Sequence, residues 1–231
     1  MSSVLLLRLL VGFAGAVVVA FVARRVKVLT TDGAIAAATI GTIIYGFGGW
    51  PMAALLLMFF LSSSLLTQVR AERKFHPEHR RGRSAGQVLA NGAIASVLAM
   101  LYGLGHSSAA LSAFAGAVAA STADTWATEV GLLAAAPPRL ITTLREVPPG
   151  TSGGVTWLGT VAGIVGAAAI SFAAFYWLRT PVVPVLAGGV IAMLLDSVLG
   201  ATIEGRVQMI DNNGVNFAAT IVGAVLSLLL A

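Results

Sequence analysis

The chain reads as an all-α polytopic membrane protein of about eight transmembrane helices arranged as helical hairpins, in a single integral membrane domain over residues 1–231. Three observations lead there. Hydrophobic residues make up 58% of the sequence and charged residues 10%, with a mean hydropathy of +0.92, whereas a soluble domain carries about 25% charge. Several apolar runs approach or exceed the roughly 20 residues that a bilayer crossing needs. Turn-forming sequences, not long polar segments, divide the runs, so no separate soluble domain is expected. Cysteine is absent, which excludes disulfides and thiolate metal sites.

The first run, 4–23, is followed at once by Arg24, Arg25 and Lys27 without a convincing cleavage site, so it is read as a retained helix and not as a signal peptide. Runs 33–50 and 51–69 are parted by Gly46-Phe47-Gly48-Gly49-Trp50-Pro51, since an unbroken 33–69 would be too long for one span. Runs 86–104 and 108–131 meet at Gly103-Leu104-Gly105-His106, runs 154–178 and 182–204 meet at Thr180-Pro181, and the last run is 214–230. Most of the 26 glycines are read as close-packing positions between helices.

The charges sort to one side. Arg24, Arg25, Lys27, Arg70, Arg73, Lys74, Arg80, Arg81, Arg83, Arg139, Arg145 and Arg206 all follow odd-numbered spans, leaving only Arg8 and Arg179 of the fourteen basic residues toward the other face. Lysine and arginine excess marks the cytoplasmic side. Both termini are therefore expected outside, and the protein in the inner membrane of a prokaryotic cell. All nine acidic residues lie in or beside that same basic face. Such asymmetry suits a site open to one compartment better than a route across the bilayer. No nucleic-acid partner is implied.

A weak repeat marks the even-numbered spans, which open on Asp32-Gly33, Ala85-Gly86, Gly153-Gly154 and Asn213-Gly214. Helix N-termini present unpaired N–H groups and positive partial charge. Four of them on one face would make an anion site, while ordinary capping explains each one singly.

The fifth run carries the densest polar stretch, Ser121-Thr122-Ala123-Asp124-Thr125-Trp126-Ala127-Thr128-Glu129. Ionisable residues within spans are costly and mark function by default. Asp124 and Glu129 are five residues apart, about 500° along a helix, which leaves roughly 140° between them. They serve one site only if the helix end unwinds or another helix completes it. Carboxylates with hydroxyls suit Mg²⁺, and a proton relay would use the same residue types. The seventh run holds Asp196-Ser197 at a similar depth, with Glu204 beyond. Asn91 and Asn216 fall inside spans and need partners there. The loop 137–154 combines Arg139 and Arg145 with Gly150-Thr151-Ser152-Gly153-Gly154. Arginine clamps phosphate oxygens, and such a turn brings backbone amides close to an anion, although the lysine-serine/threonine ending of a P-loop is missing. The most basic loop, 70–84, with His76 and His79, reads as a topogenic signal or as a surface for anionic groups.

Five blocks in order, Ser-Thr-Ala-Asp-Thr-Trp-Ala-Thr-Glu-Val-Gly (121–131), Pro-Arg-Leu-Ile-Thr-Thr (138–143), Val-Pro-Pro-Gly-Thr-Ser-Gly-Gly-Val (147–155), Asp-Ser-Val-Leu-Gly-Ala-Thr (196–202) and Asn-Asn-Gly-Val-Asn (212–216), resemble the transmembrane protein 19 family over nearly the whole chain. The plant branch of that family is the phytyl-phosphate kinase of vitamin E synthesis. The Asp-Thr-x-Ala-Thr-Glu block is also similar to a block of CTP-dependent phytol and dolichol kinases. The resemblance implies a membrane lipid kinase that moves a phosphoryl group from CTP or another NTP to an isoprenoid monophosphate, with Mg²⁺, at a cytoplasm-facing site. On that reading Asp124, Glu129 and Asp196 take metal or catalytic roles. Arg139, Arg145, Gly150, Thr151, Ser152, Gly153 and Gly154 hold phosphates, and Asn91, Asn213, Asn216 and Ser197 orient the ligand. The alternative is a transporter or flippase of a lipid phosphate or small anion.

Overall fold

The computed structural model describes residues 3–69, 82–205, 207 and 210–231. Among these, the chain forms α1 (Ser3–Arg25), α2 (Thr31–Gln68), α3 (Ala85–Gly105), α4 (Ser108–Gly131), β1 (Arg139–Leu140), β2 (Gly154–Val155), α5 (Trp157–Leu178), α6 (Val182–Thr202) and α7 (Asn212–Leu229). The expected basic loop over Arg70, Arg73, Lys74, His76, His79, Arg80 and Arg81 lies outside the described residues, as does Arg206.

The fold is all-helical, as expected, with seven helices where eight spans were read. The difference lies in α2. Its only non-helical residue is Gly49 (φ 73, ψ −169), two residues before Pro51. A side chain at that φ would be strained, and proline has no N–H to continue the helix. A straight helix of this length would run about 57 Å. Instead Thr30, just before it, and Thr67, at its end, border one cavity. The middle of α2 reaches the opposite face, where Phe47 lies against Gly103 and Trp50 packs edge-on to Trp177 at 5.9 Å. The chain therefore reverses at Gly49, and α2 supplies two limbs, which the Gly-Gly-Trp-Pro sequence foretold.

Six of the seven helices are long and apolar enough to cross a membrane, and α4 is the exception. It is also the centre of the bundle, packed against α2, α3, α5, α6 and α7. Every residue from Ser112 to Ala123 is buried. A helix surrounded by protein need not be hydrophobic toward lipid. Small residues suit it better, because they let its neighbours approach. Around its N-terminal half a core of Ile44, Met52, Leu55, Phe114, Val118, Ile170 and Val185 fills the bundle. The polar C-terminal half of α4 faces a cavity instead. Peripheral α1 packs on α2, with Gly12 against Tyr45, and shows lipid-facing side chains along most of its length.

The expected loop 137–154 is closed by a two-stranded antiparallel ribbon, with Arg139 opposite Val155 and Leu140 opposite Gly154. Strands of two residues leave no periodicity for a sequence pattern to show.

Candidate functional site

A cavity of about 1210 Å³ opens on the face that carries the loops after α1, α4 and α6. Four helices begin at its rim. Thr30 accepts the Gly33 N–H (3.1 Å), Ser84 forms a capping box with Gln87, Thr156 accepts the Gly159 N–H (3.0 Å) and Asp211 accepts the Gly214 N–H (3.0 Å). All four caps line the cavity. The repeat read from sequence is thus a repeat of N-termini on one face, with the third helix starting after Thr156 and not at Gly153-Gly154. Each cap satisfies a donor of its first turn, and Asp32 Oδ2 accepts the Ala85 N–H at the start of α3 (2.9 Å).

The floor is made by α3, α4, α6 and α7. Asn91, Ser121, Asp124, Asp196, Asn216 and Thr220 meet there. Ser121 Oγ donates to the Asn91 carbonyl (3.0 Å) and Thr220 Oγ1 to the Ala90 carbonyl (3.3 Å), which fixes α4 and α7 against α3. Asn91 commits its Nδ2 to the Gln87 carbonyl (2.9 Å). The carboxyls of Asp124 and Asp196, on α4 and α6, face each other. Two carboxylates brought together away from water repel unless a proton or a cation lies between them. Asp196 is 9% exposed, and its Oδ2 and the Asn216 Oδ1 are buried acceptors without a hydrogen-bond donor. Orphaned acceptors at one point ask for a positive partner.

Glu129 stands apart from this floor. The α4 helix stays regular to Gly131, so the 140° between Asp124 and Glu129 persists, and Asp196 from another helix completes the Asp124 site. Glu129 is buried on a different wall of the same cavity, where it accepts Thr67 Oγ1 at 2.6 Å and lies in the field of Arg83. Arg83 is held by its backbone. Its N–H donates to Val28 O (2.8 Å), its carbonyl accepts the Thr30 N–H (3.1 Å), and its guanidinium sits 5.7 Å from the Phe59 ring centroid. Burial draws the guanidinium below its ordinary range, and Glu129 opposes that shift.

Of the residues singled out from sequence, Asn91, Asp124, Glu129, Gly150, Thr151, Ser152, Gly153, Gly154, Asp196, Ser197, Asn213 and Asn216 all line the cavity. The turn at 150–154 is docked on α6. Ser152 Oγ donates to Glu204 Oε1 (2.8 Å), and Gly153 (φ 76) lies so close that a Cβ there would stand 2.5 Å from Ala201 Cβ. Asn213 donates to Asp211 Oδ2 (3.2 Å) and so braces the α7 cap. Arg139 and Arg145 are not brought to the cavity. Both are exposed on the ribbon, and Arg139 is paired with Glu146 at 2.9 Å. The expectation that they face the cavity is corrected here: the ribbon turns them to solvent while its Gly-rich end packs inward. The basic side chains lining the cavity among the described residues are Lys27 and Arg83. The signal for Arg83 was present, since Ser84-x-x-Gln87 is a capping-box pattern that places the preceding residue at a helix mouth.

Among the described residues no three His, Cys, Asp or Glu side chains cluster as a metal site. Two carboxylates with amide oxygens form a smaller, all-oxygen donor set at the floor.

A family model described as integral membrane protein DUF92 matches residues 14–224. An uncharacterized membrane protein of Methanocaldococcus jannaschii is 37% identical over 229 residues, covering 97% of this chain and 95% of its own. Protein PGR of Arabidopsis thaliana is 33% identical, covering 90% of this chain and 91% of its own. Protein VTE6, chloroplastic, of the same plant is 27% identical, covering 87% of this chain and 65% of its own. No solved structure matches the chain. With the family model spanning nearly all of the helices described above and the cavity they enclose, the chain belongs to the DUF92 family of integral membrane proteins.

Proposed function

We propose that the protein is a membrane lipid kinase that transfers a phosphoryl group from CTP, or another nucleoside triphosphate, to an isoprenoid monophosphate. The observation that carries this reading is the convergence of Asp124, Asp196, Asn91 and Asn216 at the floor of a cavity whose mouth is ringed by helix N-termini, Lys27 and Arg83. Negative ligands fit the mouth, and a cation fits the floor. The resemblance to the transmembrane protein 19 family, carried by blocks that include Asp124 and Asp196, and the similarity of the 124–129 block to CTP-dependent phytol and dolichol kinases support the choice of lipid and donor.

Mg²⁺ suits the floor, because it takes oxygen ligands and is held by one or two carboxylates together with substrate phosphates. Asp124 and Asp196 would hold it, with Asn216 Oδ1 beside them. When bound, it supplies charge neutralisation for the phosphates. Everything else falls to the chain. Arg83 binds phosphate oxygens together with amides of the 150–154 turn other than those of Thr151 and Gly154, which donate to the Pro148 and Thr151 carbonyls. Asn91 and Asn213 bound the space in which the ligands align. In the transfer, the terminal P–O bond of the nucleotide breaks and a new P–O bond forms to an oxygen of the acceptor phosphate, giving a diphosphate lipid and a nucleoside diphosphate. That oxygen is already anionic, so no general base is required. Placement on the cytoplasmic face, with both termini outside, follows from the lysine and arginine distribution.

Below the floor, α4 from Ser112 to Ala123 is enclosed and the core is filled. A one-sided cavity over a packed half-bundle suits an enzyme better than a flippase. Purified protein with labelled CTP or ATP, Mg²⁺ and a panel of prenyl monophosphates is expected to form the labelled diphosphate. No diphosphate from any pair, with lipid phosphate crossing the bilayer of proteoliposomes, would replace this reading with transport.

A further inference from the structure

The cavity lining also extends sideways to residues of α5 and α6. Most of its lining lies at the polar face, but Thr160, Met193 and Leu194 line it at membrane depth. Successive residues on a helix are about 100° apart, so Ser197 lies about 100° round α6 from Asp196, and Leu194 lies about 60° further in the same sense. Burial follows that arc. Asp196 is 9% exposed, Ser197 is half-buried and Leu194 is 38% exposed on the outer surface. The cavity lining thus walks round α6 from the buried carboxylate to the lipid-facing side.

The opposite bank is α5. Gly163 meets the Met193 side chain, and Gly189 of α6 would bring a Cβ within 3.2 Å of Ala167, so the two helices touch there. Thr160 stands three residues nearer the polar face and lines the cavity. Three residues are about 4.5 Å of rise. Above that contact the seam has one helical turn in which to part before the polar face. Its roof is the 152–154 turn, pinned on α6 through Ser152 to Glu204 and through Gly153 against Ala201.

The geometry points to this seam as a lateral port for a single-chain amphiphile. A lipid with one linear hydrocarbon tail lies with the tail in the bilayer, threads the gap between Thr160 and Leu194, and leaves its anionic head beside Asp196 and Ser197. Two-chain phospholipids are excluded by the Gly163–Met193 contact. This rests on the cavity being a lipid-phosphate site, and it adds which lipids enter and by what route. The outer rim is apolar and the inner rim carries hydroxyls, as the change from tail to head requires.

The test uses Thr160→Trp and Leu194→Trp, which fill the port from the lipid side, in the full-length protein. The ratio of kcat/KM for a twenty-carbon over a five-carbon prenyl monophosphate is expected to fall at least about tenfold in each, as pocket-filling changes do. A ratio within about twofold of the parent in both, with turnover intact, overturns the port and leaves the kinase reading standing. A second measurement needs no turnover. The chain has no cysteine, so Leu194→Cys carries the sole thiol, and a bimane placed on it reports occupancy. Its emission is expected to shift with the twenty-carbon monophosphate and not with inorganic phosphate or phosphatidic acid. A shift without any diphosphate formation sustains the port and removes the kinase reading. An equal shift with phosphatidic acid overturns the single-chain assignment.

Discussion

Asp196→Asn is the sharpest perturbation of the proposed site, because it removes one charge and leaves the shape. Asp196 faces Asp124 across the floor, and its Oδ2 has no donor of its own. For the folded protein alone, replacing one of two facing carboxylates by an amide removes like-charge repulsion. The melting temperature is therefore expected to hold or rise. With a cation and phosphates in place the balance reverses. A unit charge pair about 4 Å apart at an effective dielectric near 20 is worth about 4 kcal/mol. Lost from the reacting complex, that is roughly a thousandfold in rate. Stabilisation by Mg²⁺ changes too. At a hundred times its dissociation constant a ligand adds about 2.7 kcal/mol to stability, and the variant should lose most of that increment. The assays are labelled-nucleotide turnover and thermal unfolding with and without Mg²⁺. Turnover within about threefold of the parent, or a loss that tracks a lowered melting temperature without Mg²⁺, would refute the argument that the two aspartates are a cation site.

Arg83→Gln is expected to raise KM for the anionic ligands by about tenfold or more, since a charge-assisted hydrogen bond is worth roughly 1.5–3 kcal/mol. Arg139→Gln should change kinetics by less than about twofold, because an exposed ion pair contributes little and Arg139 points away from the cavity. Equal effects in the two variants would reverse this assignment. Gly153→Ala strains a positive φ and drives a Cβ against Ala201. A loss of about 1–3 kcal/mol in stability is expected, with turnover reduced as the 150–154 turn lifts from α6. An unchanged melting temperature with full activity would show that the turn is not anchored there.

The helices were legible because lipid imposes a length and an apolar surface on any span. The reversal at Gly49 was legible for the same reason: one helix could not hold 33–69. Helical spacing told correctly that Asp124 and Glu129 diverge. It was silent on which residue meets Asp124, since Asp196 lies on another helix and only the packing of α6 on α4 brings the two together. The arginines misled because a charge counts toward membrane orientation wherever it stands in a loop, and Arg139 and Arg145 occupy a ribbon whose facing is set by the docking of its glycines on α6. Arg83 belongs to the cavity because residues 28–30 pair with its backbone, a contact fifty residues distant in sequence.

The polar, enclosed α4 also bears on how the chain is made. An aspartate near the middle of an isolated span costs about 2.5–3.5 kcal/mol on insertion, and α4 carries Asp124 and Glu129 with few large apolar side chains to offset them. Left alone in lipid it would keep the Thr122 bond to the Val118 carbonyl but leave Ser121, Asp124 and Glu129 without their neighbours from other helices. Those partners arrive from α3 and α2, made earlier, and from α5, α6 and α7, made later. For this helix, entering the membrane and acquiring its tertiary neighbours are one event, and the polar floor is assembled only when the last helix has been delivered.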